Sequence, residues 1–161
     1  MLPATPAIEL KVLDARLHDW GLPCYQSDMA AAVDLFACID DALEIAPQAP
    51  ATLVPSGLAL GMGNAHMAAL VLPRSGLGHK KGLVMGNTLG LIDADYMGQV
   101  FISVWNRNPA GANAIVIEPG ERIAQMMFVP VIRPEVQVVA EFSIETTRGA
   151  GGFGSTGTTQ T

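Results

Sequence analysis

Two short segments in the middle of this chain carry side chains suited to phosphate and water chemistry. Pro73-Arg74-Ser75-Gly76-Leu77-Gly78 sets a fixed cation and a hydroxyl beside two glycines, whose missing side chains let backbone amides approach an oxyanion. Taken alone this is also the composition of an ordinary exposed turn. It is not a P-loop, which requires Gly-Lys-Ser/Thr after four intervening residues, and Lys80 and Lys81 stand in the wrong register for that motif. Further on, Gly90-Leu91-Ile92-Asp93-Ala94-Asp95-Tyr96 presents a carboxylate, Asp93, that can orient a water molecule. Aspartates also satisfy backbone groups in turns, and Asp95 illustrates that plainer use.

These groups need a scaffold to aim them, and the flanking sequence reads as strands. Alternation and β-branched enrichment recur at Ile8 to Leu13, Thr52 to Leu60, Ala68 to Leu72, Val100 to Trp105, Ala114 to Ile117, Gln125 to Ile132 and Val136 to Phe142. Turn signals separate them, among them Pro55-Ser56-Gly57, Asn108-Pro109-Ala110-Gly111 and Glu118-Pro119-Gly120. The pattern predicts an all-β single domain, a barrel or sandwich, with Asp93 in a hairpin between Val84-Met85-Gly86-Asn87 and Gly98-Gln99-Val100-Phe101. The one short helix expected spans Ser75 to Lys81. Residues 1–147 are expected to form the domain and residues 148–161, rich in Gly, Ser and Thr, a flexible arm.

Composition narrows the function further. A length of 161 residues suits one domain with a sizeable core. A net charge of −6 argues against a general nucleic-acid binder, so any phosphate site must be local. No apolar run is long enough for a membrane-spanning helix, and the N-terminal residues Met1-Leu2-Pro3-Ala4-Thr5-Pro6 lack a basic segment leading into an apolar signal stretch; a soluble, cytoplasmic protein is expected. Cys24 and Cys38 read as free thiols. His18, His66 and His79 show no ligand-like spacing with them, which disfavours zinc.

Three more segments complete an ordered series: Ala31-Ala32-Val33-Asp34-Leu35 upstream, Glu121-Arg122-Ile123-Ala124-Gln125-Met126 downstream, and Arg148-Gly149-Ala150-Gly151-Gly152-Phe153-Gly154-Ser155-Thr156-Gly157 at the end. The last contains a literal Gly-x-Gly-x-x-Gly, but the chain ends before the helix and acidic residue that a dinucleotide fingerprint needs. All five segments in this order resemble the dUTPases, homotrimeric all-β enzymes with a distorted, jelly-roll-like barrel.

The resemblance implies hydrolysis of dUTP to dUMP and pyrophosphate, limiting uracil incorporation into DNA and supplying dUMP for thymidylate synthesis. By that resemblance Asp93 is the general base that activates water for in-line attack on the α-phosphorus. Backbone groups around Gly90 and Leu91, with the Asn87 amide, read uracil, and Tyr96 packs beneath deoxyribose. Cytosine would put an amino donor where uracil has O4, a mismatch that a hydrogen-bonding site penalises strongly. Arg74, Ser75 and Gly76 cradle the triphosphate, and Gln125 holds phosphate or the attacking water. Mg²⁺ is the implied cofactor, bound mainly by substrate phosphates, with Asp34 acting through water. Arg148 pairs with the γ-phosphate, Phe153 stacks over uracil, and Gly154, Ser155 and Thr156 close over the phosphates, completing a site shared among subunits.

The chain departs from the family pattern at Ala32, where Gly is usual, at Met97, where a polar residue is common, and at Ala150, where Glu is common. None of these removes a proposed catalytic group. Two other readings compete: a dCTP deaminase, which shares the fold but needs a proton-relaying acid near C4, and a non-catalytic nucleotide sensor.

Overall fold

The longest strand-forming run, Thr52 to Leu60, becomes one spine of the molecule, and the apolar stretch after Glu121 becomes another. The computed structural model describes residues 6–151. Its strands are β1 (Glu9–Val12), β2 (Val33–Phe36), β3 (Leu43–Ile45), β4 (Thr52–Gly61), β5 (Met67–Pro73), β6 (Leu83–Met85), β7 (Gly90–Ile92), β8 (Gln99–Asn106), β9 (Ile115–Ile117) and β10 (Arg122–Pro130). They pair in two four-stranded sheets, ordered β1-β4-β8-β6 and β2-β10-β5-β7, with a small β3-β9 pair, and every pairing is antiparallel. The all-β expectation holds.

The core lies between the two larger sheets. Along β8 the alternation is explicit: Val100, Ile102 and Val104 are fully buried, while Phe101, Ser103 and Trp105 face outward. Leu35 from β2, Leu58 and Leu60 from β4, Val71 from β5 and Ile123 and Met126 from β10 join the same cluster. Two polar side chains are buried with it, and both are satisfied: Ser56 Oγ donates to the Val100 carbonyl at 2.6 Å, and Asn106 Nδ2 donates to the Ile45 carbonyl at 2.9 Å. Burial pushes the Cys38 thiol up to about 11, with the nearby Asp14 charge adding to the effect, which keeps it protonated and inert.

Three expectations need correction. A helical turn unforeseen in the sequence, α1 (Leu17–Trp20), forms where Arg16 grips Asp14 (2.6 Å) and Asp40 (3.0 Å) and lies 5.1 Å from the centroid of the Trp20 ring. Four residues have no helical stability of their own, so tertiary contacts supply it. Second, Val136 to Phe142 forms no strand. Residues 131–151 run without regular structure, with Val136, Val138 and Phe142 exposed and their backbone groups in no ladder among the described residues, so a strand's composition without a pairing partner makes no strand.

Third, Gly90 to Tyr96 is not a hairpin within one sheet. β6 and β8 pair with each other, while β7 between them crosses to the opposite sheet and becomes its edge beside β5. The helical prediction over Ser75 to Lys81 is met by a π-helical turn, Leu77–Lys81, that ends on Gly82 at φ 83°. A side chain at Gly82 would collide with Asn108, whose Nδ2 caps the Lys81 carbonyl at 2.9 Å.

Candidate active site

Register gathers the first group of site residues. β10 lies between β2 and β5, so Gln125 stands opposite Asp34 on one side and Leu72 on the other. β5 then ends at Pro73, and the chain turns at once into the π-helical segment, with the Gly78 amide donating to the Arg74 carbonyl at 2.8 Å. Gln125 Nε2 donates to the Pro73 carbonyl at 3.0 Å, which ties the glutamine to the base of the turn. The result is a cavity of about 700 Å³ whose walls include Asp34, Arg74, Ser75, Gly76, Lys80 and Gln125. A Cβ on Gly76 would meet nothing, so the space beside its backbone is open to a ligand.

Charge at this end is organised around one carboxylate. Arg74 Nε lies 3.0 Å from Asp34 Oδ1, Arg122 Nη1 lies 3.1 Å from Asp34 Oδ2, and Arg74 Nη1 donates to the Arg122 carbonyl at 2.7 Å. Lys81 reaches Glu121 at 3.7 Å. Arg74, Lys80, Lys81 and Arg122 thus gather at one end of a chain that has nine Lys and Arg residues and a net charge of −6. This is a local concentration of cationic side chains on an acidic protein.

The second group sits at the other end of β5. β7 runs beside β5 with Gly90 opposite Val71 and Ile92 opposite Ala69, and a Cβ on Gly90 would stand 3.0 Å from the Val71 Cβ, so glycine permits the close approach. Asp93 follows immediately, exposed, in a turn closed by the Tyr96 amide donating to the Asp93 carbonyl at 3.1 Å. The Tyr96 hydroxyl donates to the Gln99 carbonyl at 2.9 Å, and its ring lies over Gly98, where a Cβ would come within 2.7 Å of the hydroxyl oxygen. Leu91 points outward at 61% exposure, and Asn87 is exposed in the preceding turn, where its carbonyl accepts from the Leu89 amide at 2.7 Å. A wide hollow of about 970 Å³ opens beside Asp93, walled by Glu9, Asn64, Asp95 and Arg133 among others.

The two groups do not meet in one chain. Asp93 adjoins the β5 end near Ala68, Arg74 follows the other end, and at the strand rise they stand about 20 Å apart. Arg148 is exposed, with its Nε donating to the Gly151 carbonyl at 2.8 Å. Phe153, Gly154, Ser155 and Thr156 lie outside the described residues. Among residues to which the sequence alone gave no role in the site, Arg122 shares Asp34 with Arg74 and Lys80 lines the adjoining cavity. Arg122 and Asp34 are far apart in sequence, and only the β2-β10 register brings them together.

Residues 18–157 match the dUTPase family model. A deoxyuridine 5'-triphosphate nucleotidohydrolase of Klebsiella pneumoniae (strain 342) is 54% identical over 151 residues, spanning 93% of this chain and 96% of that protein. The Escherichia coli O9:H4 (strain HS) protein of the same name is 53% identical, over 93% and 97%. Among solved structures, a Staphylococcus bacteriophage 80alpha dUTPase with dUPNHPP superposes with a TM-score of 0.83 at 26% identity, covering 95% of this chain and 99% of that one. A phage phi11 dUTPase, in which a structural Mg(II) ion is coordinated, superposes at 0.75 with 22% identity, over 86% and 99%. With one family spanning almost all of both sheets and both ends of β5, the chain belongs to the dUTPases.

Proposed function

We propose that this dUTPase hydrolyses dUTP to dUMP and pyrophosphate at a site assembled from more than one copy of the chain. The observation that carries the reading is the cavity at the end of β5, where an acidic protein places Arg74 and Lys80 around Ser75 and Gln125. Arg74, Ser75 and the open backbone at Gly76 hold the triphosphate, with charge-assisted hydrogen bonds setting its path. Gln125, anchored on the Pro73 carbonyl, orients phosphate or the attacking water.

Asp93 takes the proton from that water as it attacks the α-phosphorus in line, and pyrophosphate leaves from the opposite side. Backbone groups at Gly90 and Leu91, with Asn87, read the uracil edge, and the Tyr96 ring, fixed over Gly98, leaves no room for a ribose 2′-hydroxyl. Arg148, Phe153, Gly154, Ser155 and Thr156 form the arm, residues 148–161, that closes over phosphates and base beyond the domain of residues 1–147. In the cell the reaction lowers dUTP available to DNA synthesis and supplies dUMP for thymidylate.

The residues present suit Mg²⁺. Among the described residues no three His, Cys, Asp or Glu side chains form a metal cage, and the phosphate cavity offers one carboxylate, Asp34. That is the donor set expected of an ion held chiefly by substrate phosphates and its own waters. Asp34 Oδ2 accepts from Arg122 Nη1 and Oδ1 is ion-paired with Arg74 Nε, and each oxygen keeps a lone pair for a water. Mg²⁺ would supply neutralisation of the phosphate charge there.

The separation of Asp93 from Arg74 calls for a neighbouring copy, and we propose a homotrimer. Asp93 and Tyr96 of one subunit then face Arg74, Ser75 and Gln125 of a second, with Phe153 from a third. Leu53 (64% exposed) and Phe101 (45%) on the outer face of the β4-β8 pair, and Ile132 and Phe142 beyond β10, are the apolar surface that such assembly would cover. No described helix is long and apolar enough to cross a membrane, and we propose a cytoplasmic enzyme that binds neither membrane nor nucleic acid.

The test is pyrophosphate release from dUTP with Mg²⁺, beside dCTP, dTTP, UTP and an Asp93→Asn control. Fast release from dUTP alone, lost in the control, is the expected result. No release with any substrate overturns the hydrolase reading, and a fully active monomer in analytical ultracentrifugation overturns the shared site.

A further inference from the structure

We propose that Arg122 is a positioning residue that sets the charge of the phosphate cavity. This rests on the reading of that cavity as the triphosphate site. Asp34 is largely covered, with 14% of its side chain exposed, and offers one oxygen to each of two guanidiniums, Arg74 at 3.0 Å and Arg122 at 3.1 Å. Arg122 is not part of the cavity wall, whereas Asp34 and Arg74 both are. It therefore acts through its neighbours.

The charge balance explains why a second arginine is needed. Asp34 and Arg74 alone form a neutral pair, which leaves Lys80 as the one uncompensated cation in the described wall, little charge for a polyanion. Lys81 is paired with Glu121, so it adds little net charge. Arg122 takes the second Asp34 oxygen and leaves the trio with one net positive charge, which Arg74 presents to the ligand. Arg122 thus offsets only part of what the largely covered Asp34 carboxylate costs in affinity for an anion, while Asp34 holds the Arg74 Nε edge in place.

Arg74 is held by Asp34 through Nε and by the Arg122 backbone carbonyl through Nη1, at 2.7 Å. Its Nη2 group has no protein acceptor among the described residues, which leaves a donor edge for phosphate oxygens. The backbone acceptor survives any side-chain change at position 122, so substitution there alters charge and leaves that tether in place.

The experiment is calorimetric titration of the intact full-length protein with inorganic pyrophosphate, at low salt and with EDTA to remove metal. Arg122→Gln should weaken binding about tenfold, Arg122→Lys by no more than about twofold, and Asp34→Asn alone should tighten it. Asp34→Asn combined with Arg122→Gln should recover most of the lost affinity, because the Arg74 charge is then uncompensated. A purely structural role for Arg122 would make the double variant worse than either single one. Unchanged binding in Arg122→Gln, absence of recovery in the double variant, weaker binding in Asp34→Asn, or no binding by the unaltered protein overturns the inference. Thermal melting and oligomeric mass check that each variant is folded. A protein that binds pyrophosphate with this pattern but leaves dUTP intact would overturn the proposed reaction and keep the inference.

Discussion

The two ends of β5 solve different problems. At the Arg74 end the chain builds its site internally: the Asp34 carboxylate, two guanidiniums and the Gln125 amide interlock across three strands. At the Asp93 end the turn is closed by backbone hydrogen bonds and by Tyr96 on Gln99, and the carboxylate is left exposed. Binding a polyanion demands cations held against their mutual repulsion, which requires a counter-ion in place before the ligand arrives. A base for water demands an uncommitted carboxylate beside the substrate, and here Arg74 of the same chain is about 20 Å away. In the shared-site reading proposed above, the cationic end is built within the protomer and the carboxylate end is completed by a second copy.

The sharpest way to break this comparison is at the exposed carboxylate. Asp93→Asn should lower kcat about 1,000-fold while dUTP still binds, since the phosphate end is untouched. Preserved turnover in steady-state assays would remove Asp93 from its role. Deleting residues 148–161 should reduce kcat/KM about 100-fold with an unchanged melting temperature, because the packed strands end at Pro130. An equal rate would make the arm dispensable.

Smaller changes sharpen the contrast. Gly98→Ala places a methyl where the Tyr96 ring lies, so the ring must shift. Discrimination between dUTP and UTP should fall about tenfold with little change in pyrophosphate affinity, and assays with both nucleotides would show it. The smallest effect belongs to a pair that lines neither cavity. Side-chain hydrogen bonds from Arg16 hold the Asp14 carboxyl below its ordinary value of 3.8. A depressed folded-state value adds stability above the unfolded value and loses it as pH falls through the folded one. Asp14→Asn should therefore lower the melting temperature slightly at pH 7, and the gap should close below about pH 4. A gap that persists in acid would assign the loss to packing around Trp20 instead.

Local pattern made much of this molecule legible before its structure. β1, β4, β5, β8, β9 and β10 fall where alternation and turn residues indicated, because side-chain period and turn chemistry are written into neighbouring residues. Strands β2, β3, β6 and β7 escaped: they are as short as β1 and β9 but lack the longer alternation around β1 and the β-branched triplet of β9, and are stabilised by pairing partners rather than by their own composition. Val136 to Phe142 has a strand's composition but pairs with no strand among the described residues. The motifs around Arg74, Asp93 and Gln125 were visible as residues. Lys80 was visible too, but only as a failed P-loop lysine.

By itself the sequence determined the chemistry present, its order along the chain and the family to which it belongs, since these reside in residue identity and local spacing. The tertiary structure decided that β7 leaves the sheet of its neighbours, that Asp34 holds Arg74 and Arg122 together, and that Asp93 stands a strand's length from the phosphate cavity. Those facts depend on register between strands distant in sequence, where one residue of slip would turn every side chain to the opposite face.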